Sequence, residues 1–242
     1  MAGPVGIDRC AVILAGGLGT RLRAAVPDMP KVLAPVAGRP FLEHVLAYLE
    51  RNEFTYIVLA VGYRSSDILN TFGERFGKMT LAYSVEDRPL GTGGALWRAA
   101  QLLPAGKDFF VLNGDTFAEV DFRQMENALT EKGTDLVLAV RPMPDTGRYG
   151  RVEADAGHRV IGFREKEVGR AGVINAGTYL MRSDLPRRLS FPEAFSLEVD
   201  LLQSKCGSLQ MRAAPTSGTF IDIGIPADYE KANREFSETI AP

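Results

Sequence analysis

Apolar residues recur along the chain in two alternating rhythms. Short runs rich in β-branched and aromatic residues at 10–15, 56–61, 80–85, 109–112 and 136–140 have the length of buried strands. Between them the spacing becomes helical: Phe41, Leu42, Val45, Leu46 and Leu49 share one face, as do Ile68, Leu69 and Phe72. Strand followed by helix, repeated, makes right-handed βαβ crossovers. It predicts an α/β fold, a Rossmann-like, mostly parallel sheet with helices on both faces. Beyond about Arg141 the rhythm changes, because 150–155, 159–164 and 177–181 are strand-like with no long helix between them. That stretch predicts a small antiparallel extension. Helical spacing returns at 196–203 and at 227–236, the latter just after Ile225-Pro226, where proline suits a first helical turn.

Composition narrows the function classes. A chain of 242 residues, 45% hydrophobic, can bury one substantial core, and no internal repeat or low-complexity linker divides it, so residues 1–242 are expected to form a single domain. The net charge of -2 gives no basic footprint for nucleic acid, and no Lys/Arg run suggests a membrane surface. Any anionic ligand must be held by a few placed cations. No apolar segment approaches the ~20 residues that span a bilayer, and the N-terminus lacks the pattern of a signal peptide, so a soluble cytoplasmic protein is expected. The two cysteines, Cys10 and Cys206, and the two histidines, His44 and His158, form no cluster of metal-ligand spacing. They read as structural or surface residues.

The strand at 10–15 runs into Gly16, Gly17 and Gly19, followed by Thr20 and Arg21. The dinucleotide fingerprint would need a third glycine where Leu22 stands, and no Gly-Lys-Ser/Thr of a P-loop occurs. What remains is a strand opening into glycines whose N–H groups can approach a polyphosphate, with a guanidinium close by. A tight turn with a surface arginine would read the same way.

The ordered set Gly16-Gly17-Leu18-Gly19-Thr20-Arg21-Leu22, Pro30-Lys31, Pro89-Leu90-Gly91-Thr92-Gly93-Gly94-Ala95, Asn113-Gly114-Asp115, Tyr149-Gly150, Glu165-Lys166, Asn175-Ala176-Gly177 and Asp222-Ile223-Gly224 resembles the sugar-phosphate nucleotidyltransferases. These enzymes join a nucleoside triphosphate to a sugar 1-phosphate and release pyrophosphate. The resemblance spans nearly the whole chain. One departure is Pro30-Lys31-Val32, where family members often carry a second proline; it alters no charged contact. The resemblance implies the nucleotide-diphospho-sugar transferase fold, here without a C-terminal β-helix. Residues 1–140 would form mainly the nucleotide-binding half and 141–242 mainly the sugar-phosphate half.

The resemblance assigns Arg21, Lys31 and Lys166 to the reacting phosphates as the catalytic set. It assigns Leu14, Gly16, Gly17, Gly19, Thr20, Glu86, Gly91, Thr92, Asn113 and Asp115 to the nucleotide, and Gly150, Glu165, Asn175 and Gly177 to the sugar. Asp115 and Asp222 are its metal ligands. Residue chemistry agrees with those roles. Two hard carboxylates without soft donors suit Mg2+. A phosphate monoester has a second pKa near ~6 and attacks as an anion without a general base, which fits the absence of any histidine from the motifs. Related thymidylyl- and uridylyltransferases commonly carry glutamine at the position of Glu86. A carboxylate there can accept from the adjacent N1–H and N2–H2 donors of guanine, which points to GTP.

The stretches Arg39-Pro40-Phe41-Leu42, Val61-Gly62-Tyr63 and Glu86 to Ala95 resemble short bacterial guanylyltransferases acting on D-glycero-D-manno-heptose 1-phosphate. GTP and that sugar 1-phosphate are therefore the expected partners, with no nucleic acid and no membrane. Another base or sugar, as in a mannose-1-phosphate guanylyltransferase or a uridylyltransferase, and a non-catalytic nucleotide-sugar sensor stay open at this stage. So does assembly into a homo-oligomer.

Overall fold

The structure, a computed structural model, describes residues 9–17, 19, 22 and 26–240. The first half alternates as expected: β1 (Arg9–Leu14), the small hairpin β2 (Pro35–Val36) and β3 (Arg39–Pro40), α1 (Phe41–Arg51), β4 (Phe54–Val61), α2 (Ser65–Phe72), β5 (Arg75–Phe76), β6 (Met79–Val85), α3 (Gly91–Ala100) and β7 (Phe109–Asn113). Then come β8 (Thr116–Ala118), α4 (Phe122–Thr130), β9 (Leu136–Met143), β10 (Arg151–Ala154), β11 (Val160–Arg164), β12 (Gly172–Met181), the short α5 (Leu185–Arg188), a π-helix at Leu197–Gln203, β13 (Met211–Pro215), β14 (Phe220–Asp222) and α6 (Pro226–Ile240). Local chemistry marks several boundaries. Asp121 caps α4 by accepting from Gln124 N–H at 3.0 Å, and Ser196 caps the π-helix by accepting from Val199 N–H at 3.2 Å.

Ten strands share one sheet, ordered β11-β10-β12-β7-β1-β4-β6-β5, with β9 paired to β12 and β13. Its centre, β7-β1-β4-β6, is parallel. The expected antiparallel extension is continuous with that centre. Thr178 to Met181 of β12 pair antiparallel with β7 on one edge, and β12 also pairs with β9 on the other. Alternate residues of β1 feed two cores. Ala11 and Ile13 face the helices α1, α2, α4 and α6, whereas Cys10 and Val12 face α3 and the π-helix.

Three differences from the sequence reading have physical causes. Leu69 is 38% exposed: α2 is a short helix that buries only the i,i+4 pair Ile68 and Phe72, leaving Leu69 a quarter-turn away from the core. The glycines at 91–94, which read in the sequence only as part of a motif, open helix α3. Helix α4, with Phe122, Met125 and Leu129 buried, was readable from its spacing but not expected. His44 is structural, as expected: it is buried, its Nε2 lies 2.8 Å from Val36 O, and its ring stands 4.3 Å from that of Phe236. Cys10 is buried, with its Sγ 3.8 Å from Asp108 O, and Cys206 is half-buried. Among the described residues no helix is long and apolar enough to cross a membrane.

Helix α3 lies tight on the segment preceding the π-helix. The N–H groups of Gly93 and Gly94 donate to Phe195 O at 2.9 and 3.4 Å. A Cβ at Gly93 would penetrate the Phe195 ring, which is itself stacked on Phe191 and edge-on to Trp97 and cannot swing aside. In an open helix Gly→Ala stabilises by about 1 kcal/mol. Here the sign should reverse: Gly93→Ala is expected to destabilise by about 1–3 kcal/mol through overpacking. Thermal unfolding checks this, and a raised melting temperature would contradict the close packing.

Candidate active site

The C-terminal ends of the parallel strands converge on a cavity of about 780 Å³, within the usual range for a small-ligand site of roughly 300–1,000 Å³. Open α/β sheets bind ligands at such strand ends. The cavity lies on the α3 side and is lined by Leu14 to Gly17, Lys31, Gly62, Glu86, Gly91, Thr92, Asn113 and Asp115 from the first half of the chain. Tyr179 and Ser196 to Glu198 line it from the second half.

Backbone geometry fixes the floor. Leu14 O accepts from Gly114 N–H at 2.9 Å, and a Cβ at Gly114 would stand 2.7 Å from that same oxygen. A Cβ at Gly16 would lie 3.2 Å from Glu86 Oε1 and 3.4 Å from Gly62 N. Glu86 is thereby set against the glycine turn. Its N–H donates to Val61 O at 2.8 Å, and its Oε2 accepts from Leu90 N–H at 3.0 Å. With Oε2 engaged, Oε1 is the oxygen on the Gly16 side.

Lys31 begins a short 3-10 helix directly after Pro30. Its Nζ donates to Asp115 Oδ2 at 2.7 Å, with the lysine side chain 10% exposed and the aspartate 40%. The Cβ that Gly19 lacks would be 3.0 Å from Lys31 Cβ, and Gly19 has φ +60, so the turn both needs glycine and sets the lysine stem. Asp115 and Asp222 arrive on neighbouring strand ends. Asp222 of β14 pairs with Thr116 of β8, and Ile223 N–H donates to Asp115 O at 3.1 Å. Asp222 Oδ1 accepts from Gly224 N–H at 2.6 Å, and Oδ2 accepts from the Tyr149 phenol at 3.1 Å. The Arg148 guanidinium stands 3.6 Å from Oδ2 while pairing closely with Asp228.

No group of three or more His, Cys, Asp or Glu that could hold a metal ion occurs among the described residues. A protein-only cage is therefore not formed here. Two hard carboxylates on adjacent strand ends fit a divalent cation that keeps water and substrate oxygens in its shell, as Mg2+ does.

Next to Tyr179, which lines the cavity, Asn175 Nδ2 donates to the Tyr179 hydroxyl at 2.7 Å and Asn175 Oδ1 accepts from Gly177 N–H at 3.0 Å, though Asn175 and Gly177 are not lining residues. The register of β12 against β9 shifts between Asn175 and Tyr179. Gly177, at φ +75, sits in that irregularity, with Asn113 Nδ2 2.8 Å from where its Cβ would be. Asn175 and Gly177 thus flank Asn113 and Tyr179. Glu165, Lys166 and Gly150 are exposed and do not line the cavity, and Asp222 faces a neighbouring cavity with Tyr149 and Arg148. Glu165 and Lys166 occupy the segment between β11 and β12, while Gly150 follows Tyr149. Leu18, Thr20 and Arg21 lie outside the described residues.

Thr92 Oγ1 accepts from Leu197 N–H at 2.9 Å, joining α3 to the π-helix. Gly91, Gly93 and Gly94 press against Phe195 and Glu193. Sequence reasoning missed Ser196, Leu197, Glu198 and Tyr179 as lining residues, and the contact of Tyr149 with Asp222. The helical spacing from Ser196 onward was visible, but nothing in it said that the helix begins at the cavity.

Residues 10–239 match the family described as nucleotidyl transferase. The chain is similar to the D-glycero-alpha-D-manno-heptose 1-phosphate guanylyltransferase of Campylobacter jejuni, at 39% identity over 90% of this chain and 96% of the relative. Its likeness to the protein of the same description from Aneurinibacillus thermoaerophilus is 38% identity over 95% and 99%. A solved structure, HddC from Yersinia pseudotuberculosis complexed with GMP-PN, shares the fold with a TM-score of 0.83 at 34% identity, covering 94% of this chain and 99% of that one.

Burial, and then the charge of Asp222, hold the Tyr149 phenol well above its ordinary value. The folded state favours the neutral form, so its contribution to stability is complete below the unfolded value of about 10 and is lost as pH rises through the folded value. Tyr149→Phe should therefore leave unchanged the phenolate absorbance gained between about pH 9 and 11, the range where a free phenol titrates. A loss of one phenol's signal in that range would show Tyr149 to be solvated and unconstrained.

Proposed function

The chain belongs to the nucleotidyl transferase family, and from that premise we propose that it transfers GMP from GTP to D-glycero-α-D-manno-heptose 1-phosphate. An oxygen of the sugar phosphate attacks the α-phosphorus in line, the bond from that phosphorus to the bridging oxygen breaks, and pyrophosphate leaves. The observation that carries this reading is the cavity at the parallel strand ends, where glycine backbone, the Lys31 ammonium, the Asp115 carboxylate and the Glu86 carboxylate meet. The names of the relatives of similar length support the base and the sugar.

In this reading Gly16, Gly17 and Gly19 give the triphosphate access to backbone N–H groups, and Leu14, Gly91, Thr92 and Asn113 complete the nucleotide's surroundings. Arg21 and Lys31 neutralise charge on the departing pyrophosphate, the first as a fork and the second as a point charge. Asp115 and Asp222 would hold Mg2+, which when bound would supply positive charge to offset that of the phosphates. Gly150, Glu165, Asn175 and Gly177 meet the sugar hydroxyls. Lys166, on the exposed segment beside Glu165, reaches the sugar phosphate when that segment folds in. Residues 1–242 act as one catalytic unit in the cytoplasm.

Glu86 selects the base. Leu90 N–H engages Oε2, so the oxygen presented to a ligand is an acceptor and reads a donor, as guanine N1–H and N2–H2 provide. A glutamine in the same place would set its carbonyl on Leu90 N–H and turn its amide donors toward the base. Glu86→Gln should lower the ratio of kcat/KM for GTP over UTP by roughly 10²-fold, because the wrong edge leaves buried polar groups unpaired. Unaltered selectivity would remove Glu86 from base recognition.

The reaction itself is tested by pyrophosphate release in Mg2+, crossing GTP, UTP, CTP, dTTP and ATP with heptose, mannose, glucose and N-acetylglucosamine 1-phosphates. Turnover confined to GTP and the heptose 1-phosphate is expected. Turnover with another pair would keep the chemistry and correct the substrate. No turnover with any pair would favour a nucleotide-sugar sensor.

A further inference from the structure

We infer that Tyr149 is a positioning residue for the Asp222 carboxylate, its phenol holding Oδ2 so that the group presents a fixed face to a divalent cation. The inference rests on the reading above, in which Asp222 is a metal ligand. Asp222 ends the three-residue strand β14 and is followed at once by a turn. Its Oδ1 accepts from Gly224 N–H at 2.6 Å within that turn. A carboxylate held at one oxygen alone could still rotate about the bond to its Cβ. The phenol of Tyr149, 3.1 Å from Oδ2, removes that freedom.

The phenol is itself fixed. The Tyr149 ring packs edge-on to Phe220, two residues before Asp222, with centroids 5.9 Å apart, and the Arg148 guanidinium lies 5.4 Å from it on another side. Tyr149 N–H donates to Thr146 O at 3.0 Å. Thr146, fully buried, donates from both its N–H and its Oγ1 to Arg170 O at 2.9 Å. Asp145 Oδ1 accepts from Gly147 N–H at 2.8 Å and from Gly169 N–H at 3.0 Å. The turn carrying Tyr149 is thus stitched to the segment that carries Glu165 and Lys166.

Charge explains why a phenol suits the task. A neutral hydroxyl orients a carboxylate without cancelling the charge that attracts a cation. Among the described residues the cation paired with Asp222, Arg148, is drawn to Asp228 and stands 3.6 Å from Oδ2. Asp222 thus loses rotational freedom to two neutral donors, with Arg148 shared between it and Asp228. Hydrogen-bond partners of metal ligands commonly contribute about 10–100-fold in metal affinity.

The test uses the full chain with α,β-methylene GTP, which cannot react, and Mn2+ as a paramagnetic stand-in whose free concentration is read by electron paramagnetic resonance. Tyr149→Phe removes one oxygen and leaves the ring on Phe220. It should raise the Mn2+ Kd about tenfold or more, with the metal-free affinity for the nucleotide analogue and the thermal unfolding midpoint unchanged. Asp222→Asn, measured alongside, should abolish the tight Mn2+ site. If Asp222→Asn leaves Mn2+ binding intact, the reading of Asp222 as a ligand fails and takes the inference with it. If Asp222→Asn abolishes binding while Tyr149→Phe stays within twofold of wild type, the positioning role alone is overturned. Should Tyr149→Phe unfold, Phe220→Leu keeps the hydroxyl but loosens the ring. A rise of a few-fold in the Mn2+ Kd is then expected, and a wild-type value would refute the role.

Discussion

Three strand exits pass through one small volume, and the glycines at their crossing make that approach sterically allowed. Where β1, β4 and β7 end side by side, Gly16 and Gly62 come close enough that a Cβ on either would lie 3.4 Å from the other's backbone. Gly114 closes on Leu14 O from the opposite side. The cavity floor is therefore main chain, whose polar groups are held by the sheet and need no further ordering when a ligand arrives. Fixed dipoles of this kind stabilise charge more effectively than side chains that must first be organised. Glu86, seated against Gly16, is the side chain that this crowded floor places most firmly.

Ionic groups are arranged differently on the two sides of the site. Lys31 and Asp115 are in direct contact, a cation and an anion each keeping the other near the reaction zone. Around Asp222 the close contacts are neutral donors, Gly224 N–H and the Tyr149 hydroxyl, while Arg148 is drawn to Asp228. One carboxylate is in direct contact with a cation, and the other is oriented by neutral donors and shares its cation with Asp228.

The sequence made some of this plain and hid the rest, for reasons that differ residue by residue. The strand at β1 and the helix at α1 were legible because each buries a periodic face. The glycines after β1 were legible as a close-approach signal, and the structure puts Gly16 and Gly17 at the cavity. The glycines of α3 carried the same signal but a different meaning. Gly93 and Gly94 are small because Phe195 and Glu193, about a hundred positions later, pack on them, and composition does not name the partner in a close approach. Leu69 failed for a simpler reason, since a helix of two turns buries too narrow a stripe. Tyr179 and Glu198 went unread because their places at the cavity follow from strand β12 crossing beside β7 and from the π-helix packing on α3, tertiary facts with no local trace. Glu165 and Lys166 matched a motif, yet their segment lies outside the cavity, so the motif spoke of chemistry and not of where the side chains rest.

Strand β12 bears on how the molecule can deform. It is bonded along both edges, to β7 on one side and to β9 on the other, so it belongs equally to the part of the sheet that ends at Asp115 and the part that carries the later strands. Swinging those parts apart about a hinge would strip β12 of its backbone partners, at about 1–3 kcal/mol for each buried group left unsatisfied. The segment 165–171 lies outside the ladders but is tied at Gly169 and Arg170 to Asp145 and the buried Thr146, so its compliance rests with the exposed Glu165 and Lys166. The sheet is thus a single stiff beam, and compliance is left to its rim.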